Sequence, residues 1–154
     1  MNMTTLTHLN EQMLKAALRG DAEKVFLALT LGADPLYGNG RNLPVSVAFA
    51  LRRDLASVLR LARINPATLR QKSPVTGATP SGFIASMGAA ALAAVAALDP
   101  KVLEDIAPLE TFSAPETITE KLAKRITAGE LICLGQINPN IMTKAVLARF
   151  AHRR

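Results

Sequence analysis

AALRGDAEKVFLALTLGADP, Ala16 to Pro35, reads as the end of one helix, a tight turn at Gly20-Asp21 and a second short helix stopped at Gly32. Met13, Leu14, Ala17 and Leu18 fall at helical spacing before the turn, and Val25, Phe26, Ala28 and Leu29 after it. Glu23 sits in the first turn of the second helix, where a negative charge complements the helix dipole. Gly32 supplies the left-handed residue that closes it. The stretch returns: ALRGD at Ala17–Asp21 becomes ALRRD at Ala50–Asp54, 33 residues on. A fixed period of that size marks a repeat protein, in which each helix pair buries its apolar face only against its neighbours.

Working outward, a helix capped by Thr4, Thr5 or Thr7 and running to about Arg19 completes the first unit. The loop ADPLYGNGRN follows, with Asn39-Gly40 as its turn. Pro44 opens a second pair, Pro44–Arg52 and Leu55–Arg63, ended by Asn65-Pro66. In the third unit Thr79 caps, Pro80 opens, Gly88 ends the first helix, and the second stops at Asp99-Pro100. Leu122–Pro139 aligns with Phe49–Pro66 at a constant offset, and Ile-Asn-Pro ends both, which defines a looser fourth unit. An insertion, Val102–Ser113, precedes it, and a last helix, Ile141–Ala151, closes the stack. The expected architecture is all-α: units at about 4–35, 36–66, 67–100 and 101–139, and a cap over 140–154.

These residues resemble the ankyrin repeat. The first unit matches the second half of that pattern at Gly20, Glu23, Val25, Leu29, Gly32, Ala33 and Asp34. The third matches its first half at Gly77, Thr79, Pro80, Ala85 and Gly88. The motif histidine is replaced by Ser46 and Gly82, and the turn glycine of the second unit by Arg53. The resemblance covers about Gln12 to Pro100 well and the remainder weakly, so it is to a degenerate array. It implies an ankyrin-like solenoid of about four helix–turn–helix repeats, with finger loops and inner helices as the recognition face.

Composition narrows the function. The chain is 154 residues long, 49% hydrophobic, without Trp and with one Tyr, so its core is aliphatic and Ala-rich. Cys133 is the only cysteine, which excludes an internal disulfide; inside ELICLG it reads as a small buried apolar residue, and thiol-poor composition fits a reducing, cytoplasmic setting. The N-terminal residues carry no Sec-type signal pattern. The apolar run Phe83–Leu98 is short, Ala-rich and broken by Gly88; it reads as the most buried repeat, not a membrane span.

Little in the chain looks catalytic. His8 and His152 stand at opposite ends, Glu104-Asp105 reads as a solvated acidic turn, and YGNGRN lacks the Lys and Ser/Thr of a phosphate loop. No catalytic residue, metal ligand or cofactor is expected. The net charge of +6 is uneven, with a basic middle, an acidic third quarter and a basic tail. Tyr37, Asn39, Arg41, Arg52, Arg53, Arg70 and Lys72 are the expected partner-binding residues, since Tyr and Arg are enriched at interface hot spots and loops on rigid scaffolds carry recognition. Arg60 and Arg63, on a second helix, read as solvated. The expectation is a non-enzymatic module, monomeric or weakly dimeric, binding a protein with an acidic surface. The resemblance extends that to a bacterial effector or inhibitor, an effector being delivered to a host by a non-Sec route. The alternative is nucleic-acid binding through the basic middle and the tail.

Overall fold

The computed structural model describes residues 2–38, 43–105, 107 and 116–152. Nine α-helices occur among them: α1 (Met3–Arg19), α2 (Ala22–Thr30), α3 (Val45–Leu51), α4 (Leu55–Ile64), α5 (Pro80–Ile84), α6 (Ala89–Ala96), α7 (Ile118–Ala123), α8 (Ala128–Ile137) and α9 (Met142–His152). Short 3₁₀ helices cover Pro66–Arg70, Ala85–Met87, Pro100–Glu104 and Pro139–Ile141. No strand occurs among the described residues. The chain is all-helical, as its periodicity requires.

The helices pair and then layer. α1 packs on α2, α3 on α4 and α5 on α6. The first helices of successive pairs also touch, α1 on α3 and α3 on α5, and so do the second helices, α4 on α6 and α6 on α8. α9 lies on α7 and covers it. A single hydrophobic cluster runs through all pairs, from Met13 and Val25 through Phe49, Leu61, Ile84 and Leu92 to Leu103, Ile118 and Leu134. Phe26 and Phe49 stack across the first two pairs, with ring centroids 6.0 Å apart. Burying each large side chain removes apolar surface from water at about 25 cal/mol per Å².

One local device recurs at the end of every pair. Asp34, Asn65, Asp99 and Asn138 each precede a proline, and each carboxyl or amide oxygen accepts from the backbone N–H two residues on: Leu36 at 2.9 Å, Ala67 at 3.0 Å, Lys101 at 3.2 Å and Asn140 at 3.0 Å. The proline blocks helix continuation and the Asx side chain satisfies the turn. The second helices start alike. Asp21 accepts from Lys24 N, Asp54 from Ser57 N, and Thr127 forms a reciprocal capping box with Glu130. α6 is the exception, entered from Gly88 at φ 112°.

Some expectations are corrected. Asn2, not a threonine, caps α1, accepting from Thr5 N at 2.8 Å. Thr79 occupies the N-cap position of α5 but makes no cap bond; its hydroxyl donates to Asp105 Oδ2 at 2.9 Å. Asp105 is therefore no solvated turn residue. Cys133 is exposed, not buried, because α8 turns Leu131, Leu134 and Gly135 inward and leaves Ile132 and Cys133 on the opposite face. Within the insertion, Pro100–Glu104 forms a 3₁₀ helix, and a two-sided backbone clasp follows: Ala107 N donates to Glu116 O at 2.9 Å and Ile118 N to Asp105 O at 2.8 Å.

Candidate functional site

The basic residues singled out from the sequence divide by what they touch. Arg52 reaches back across the first turn and donates from Nη2 to the Leu18 carbonyl at 2.9 Å, closing the C-terminus of α1. Its guanidinium lies over Gly20, whose left-handed backbone (φ 77°) has no Cβ to obstruct it. Arg149, on α9, repeats the device at the far end, donating from Nη1 to the carbonyls of Ala123 and Ile126 at the end of α7. A cation at a helix C-terminus satisfies orphan carbonyls and opposes the dipole. Arg53 holds the turn between α3 and α4 at φ 57°, the conformation its glycine counterpart takes in the first unit; it is the one non-glycine with positive φ among the described residues.

Arg70 closes the 3₁₀ turn after α4 and bridges forward. It contacts Asp99 through Nε and Nη2, at 3.0 and 3.2 Å, and Asp105 through Nη1 at 3.0 Å. Asp105 is thus shared by Arg70 and Thr79. Burial pushes its carboxyl above the ordinary value of 3.8, while the Thr79 hydroxyl and the Arg70 charge pull it back. Gln71 makes a similar bridge backward: its Nε2 donates to Leu36 O at 3.0 Å, and Ser46 Oγ donates to its Oε1 at 3.3 Å. Arg60 is not merely solvated, since its guanidinium carbon lies 4.0 Å from the centroid of the Phe26 ring. Tyr37 is half-buried and packs on the core, and Lys72 is exposed. Asn39 and Arg41 lie outside the described residues. Arg52 and Arg70 are therefore engaged within the chain, and the described members of the expected set do not form one patch of free cations.

A concave feature lies further along, where the layer of first helices parts between α5 and α7. A cleft of about 350 Å³ opens there. One wall is α5 with its 3₁₀ extension, contributing Gly82, Phe83, Ala85 and Ser86; the other is α7 with the turn after it, contributing Ile118, Lys121, Leu122 and Arg125. Ala107 closes one end. A second hollow, of about 270 Å³, continues past Gly88 and Ala89 to Ile126 and Glu130. Ile118 and Leu122 form a buried apolar floor, Phe83 is half-buried, and Ser86 and Arg125 stand exposed at the rim. Arg125 makes no ion pair among the described residues.

Ile118 is buried and lies in this floor. The cleft itself was not read from the sequence. A signal exists: Gly82, Ala85 and Ser86 stand at i, i+3 and i+4, a strip of small residues on α5 and its 3₁₀ extension. The chemistry on offer is apolar contact with a cationic rim. Among the described residues no three His, Cys, Asp or Glu side chains gather as metal ligands, and no helix is long and apolar enough to cross a membrane. No protein-family model matches the chain, and no curated protein matches it either.

Proposed function

We propose that this chain is a non-enzymatic protein-binding module, a degenerate ankyrin-like array that grips a partner in the α5–α7 cleft. The carrying observation is that cleft: an apolar floor of Ile118 and Leu122 beneath an exposed, unpaired Arg125, with small residues opposite. A concave, mostly apolar site with a few polar groups at its edge is what partner side chains fill. The 33-residue recurrence, the four Asx-Pro stops and the layered helix pairs support the ankyrin-like reading. The pairing of Arg70 with Asp99 and Asp105 favours a protein partner over nucleic acid, because it neutralises one of the positive charges of the basic middle. A module of this kind acts by occupancy, as an inhibitor or a bacterial effector does, and needs no reacting group.

The test is affinity purification from the source cell with wild type, Ser86→Trp and Arg125→Glu in the cleft, and Tyr37→Ala/Arg41→Ala/Arg53→Ala on the finger side. A protein recovered by wild type and lost with the cleft variants is the expected result. Loss with the finger variant alone would move the site to the fingers. Recovery of nucleic acid that moderate salt releases would put the alternative first.

A further inference from the structure

Resting on that reading of the cleft, we propose that its occupant is an amphipathic α-helix carrying carboxylates along one flank. Three observations carry this. First, the two hollows share Ala85, Ser86, Leu122 and Arg125, so they form one trough. Residue numbers rise in the same direction along both walls, from Gly82 on α5 to Ala89 at the start of α6 and from Ile118 on α7 to Glu130 on α8, so the trough runs along the first helices and on past the turns that end them.

Second, the walls are helical. Three wall amides are engaged within the chain, Gly82 N to Thr79 O at 3.0 Å, Gly88 N to Ala85 O at 3.1 Å and Ile126 N to Leu122 O at 3.1 Å. A β-strand ligand adds to an exposed sheet edge, and the trough has none among the described residues. A helix satisfies its own backbone and brings only side chains, so it enters without leaving donors and acceptors unmet. The trough is too small for a whole helix. The helix lies over it and seats apolar anchors spaced i, i+3 or i+4, and i+7 on Ile118 and Leu122.

Third, among the described lining residues the charge is one-sided: Arg125 is exposed and lines both hollows, whereas Glu130 stands at the far end of the smaller one. A carboxylate on the flank facing Arg125 gains a charge-assisted contact beside a low-dielectric floor; a lysine there is repelled.

The experiment selects phage-displayed random peptides of about 16 residues on the intact chain, with counter-selection on Ser86→Trp, whose indole fills the trough. Circular dichroism of the variant checks that it folds. The proposal expects enriched sequences with apolar residues at i, i+3 or i+4, and i+7, and an excess of Asp and Glu. One such synthetic peptide should gain helicity on binding. By fluorescence anisotropy its affinity should fall about tenfold in Arg125→Glu at low salt, and change little in Arg125→Lys. Enrichment of alternating or basic sequences, or indifference to Arg125→Glu, overturns the acidic helix while leaving a peptide-binding cleft. Absence of any Ser86-dependent enrichment overturns both this proposal and the cleft reading beneath it.

Discussion

The first-helix layer behaves differently at its two ends. From α1 through α3 to α5, neighbours are in direct contact, with Arg52 bracing the first interface and Gln71 bridging the loops of the next. Between α5 and α7 the same layer opens into a cleft, while the second helices, α6 and α8, stay packed. The Asx-Pro stops follow the same division. Asp34 to Asn65 is 31 residues and Asn65 to Asp99 is 34, but Asp99 to Asn138 is 39. Where the spacing holds near the repeat period, first helices meet. Where extra chain intervenes, continuity passes to the second helices and to polar links: Arg70 on Asp99 and Asp105, Thr119 Oγ1 on Leu103 O at 2.7 Å, and Asn138 Nδ2 on Pro100 O at 2.9 Å. Side-chain hydrogen bonds here do what close packing does in the first units.

The largest expected effect breaks the tight end. Phe49 is fully buried and stacked on Phe26, so Phe49→Ala should lower unfolding free energy by about 3–5 kcal/mol in denaturant titrations. A loss below about 1 kcal/mol would show that the first interface is not close-packed. The second prediction concerns Gly20, where an added Cβ would lie 2.7 Å from Arg52 Nη1 and the backbone is left-handed. Gly20→Ala should cost about 2 kcal/mol, and less in an Arg52→Ala background, where the clash is gone and only the backbone term remains. Additive losses in that double-mutant cycle would mean that the arginine does not sit over the turn.

At the open end, polar links set the scale. Arg70 is 40% exposed, so Arg70→Ala should cost only about 1 kcal/mol despite two carboxylate partners. The Asp105 carboxyl has its folded value raised by burial, so its protonation favours the folded state, and that contribution is lost as pH rises through the raised value. Wild type should therefore gain stability relative to Asp105→Asn as pH falls from neutrality towards 3.8. A difference that stays constant or reverses would show that Arg70 and Thr79, not burial, set the protonation of Asp105. The smallest effect is at Cys133, where Cys133→Ser should change stability by less than about 0.5 kcal/mol, and the native thiol should react with a disulfide reagent without prior unfolding. Slow labelling limited by unfolding would put Cys133 back in the core.

The helix pairs of the first three units were legible because their punctuation is local. Gly20, Gly32 and Gly88 take left-handed backbone, Asp21 and Asp54 cap, and Pro66 and Pro100 stop, each acting within a few residues of itself. The reading of Arg53 as a displaced glycine holds down to its φ of 57°. The candidate site was less legible. Arg52 and Arg70 look like free cations in a list of residues, but each bonds a group at least 29 residues away. The exposure of Cys133 is hidden from the sequence for a related reason. In ELICLG every residue but Glu130 and Gly135 is apolar, so hydropathy does not say which of them face inward, and packing against the preceding units makes that choice.

The sequence by itself determined an all-helical chain, the places where its helices start and stop, and the recurrence of one unit, because caps, breakers and 3.6-residue periodicity act over short range. Only the tertiary structure decided which charges are occupied, which face of α8 is wet and where the first-helix layer parts. Those outcomes depend on distances between residues far apart in the chain. At the α5–α7 junction, the added chain between Asp99 and Asn138 leaves the second helices in contact and opens the first.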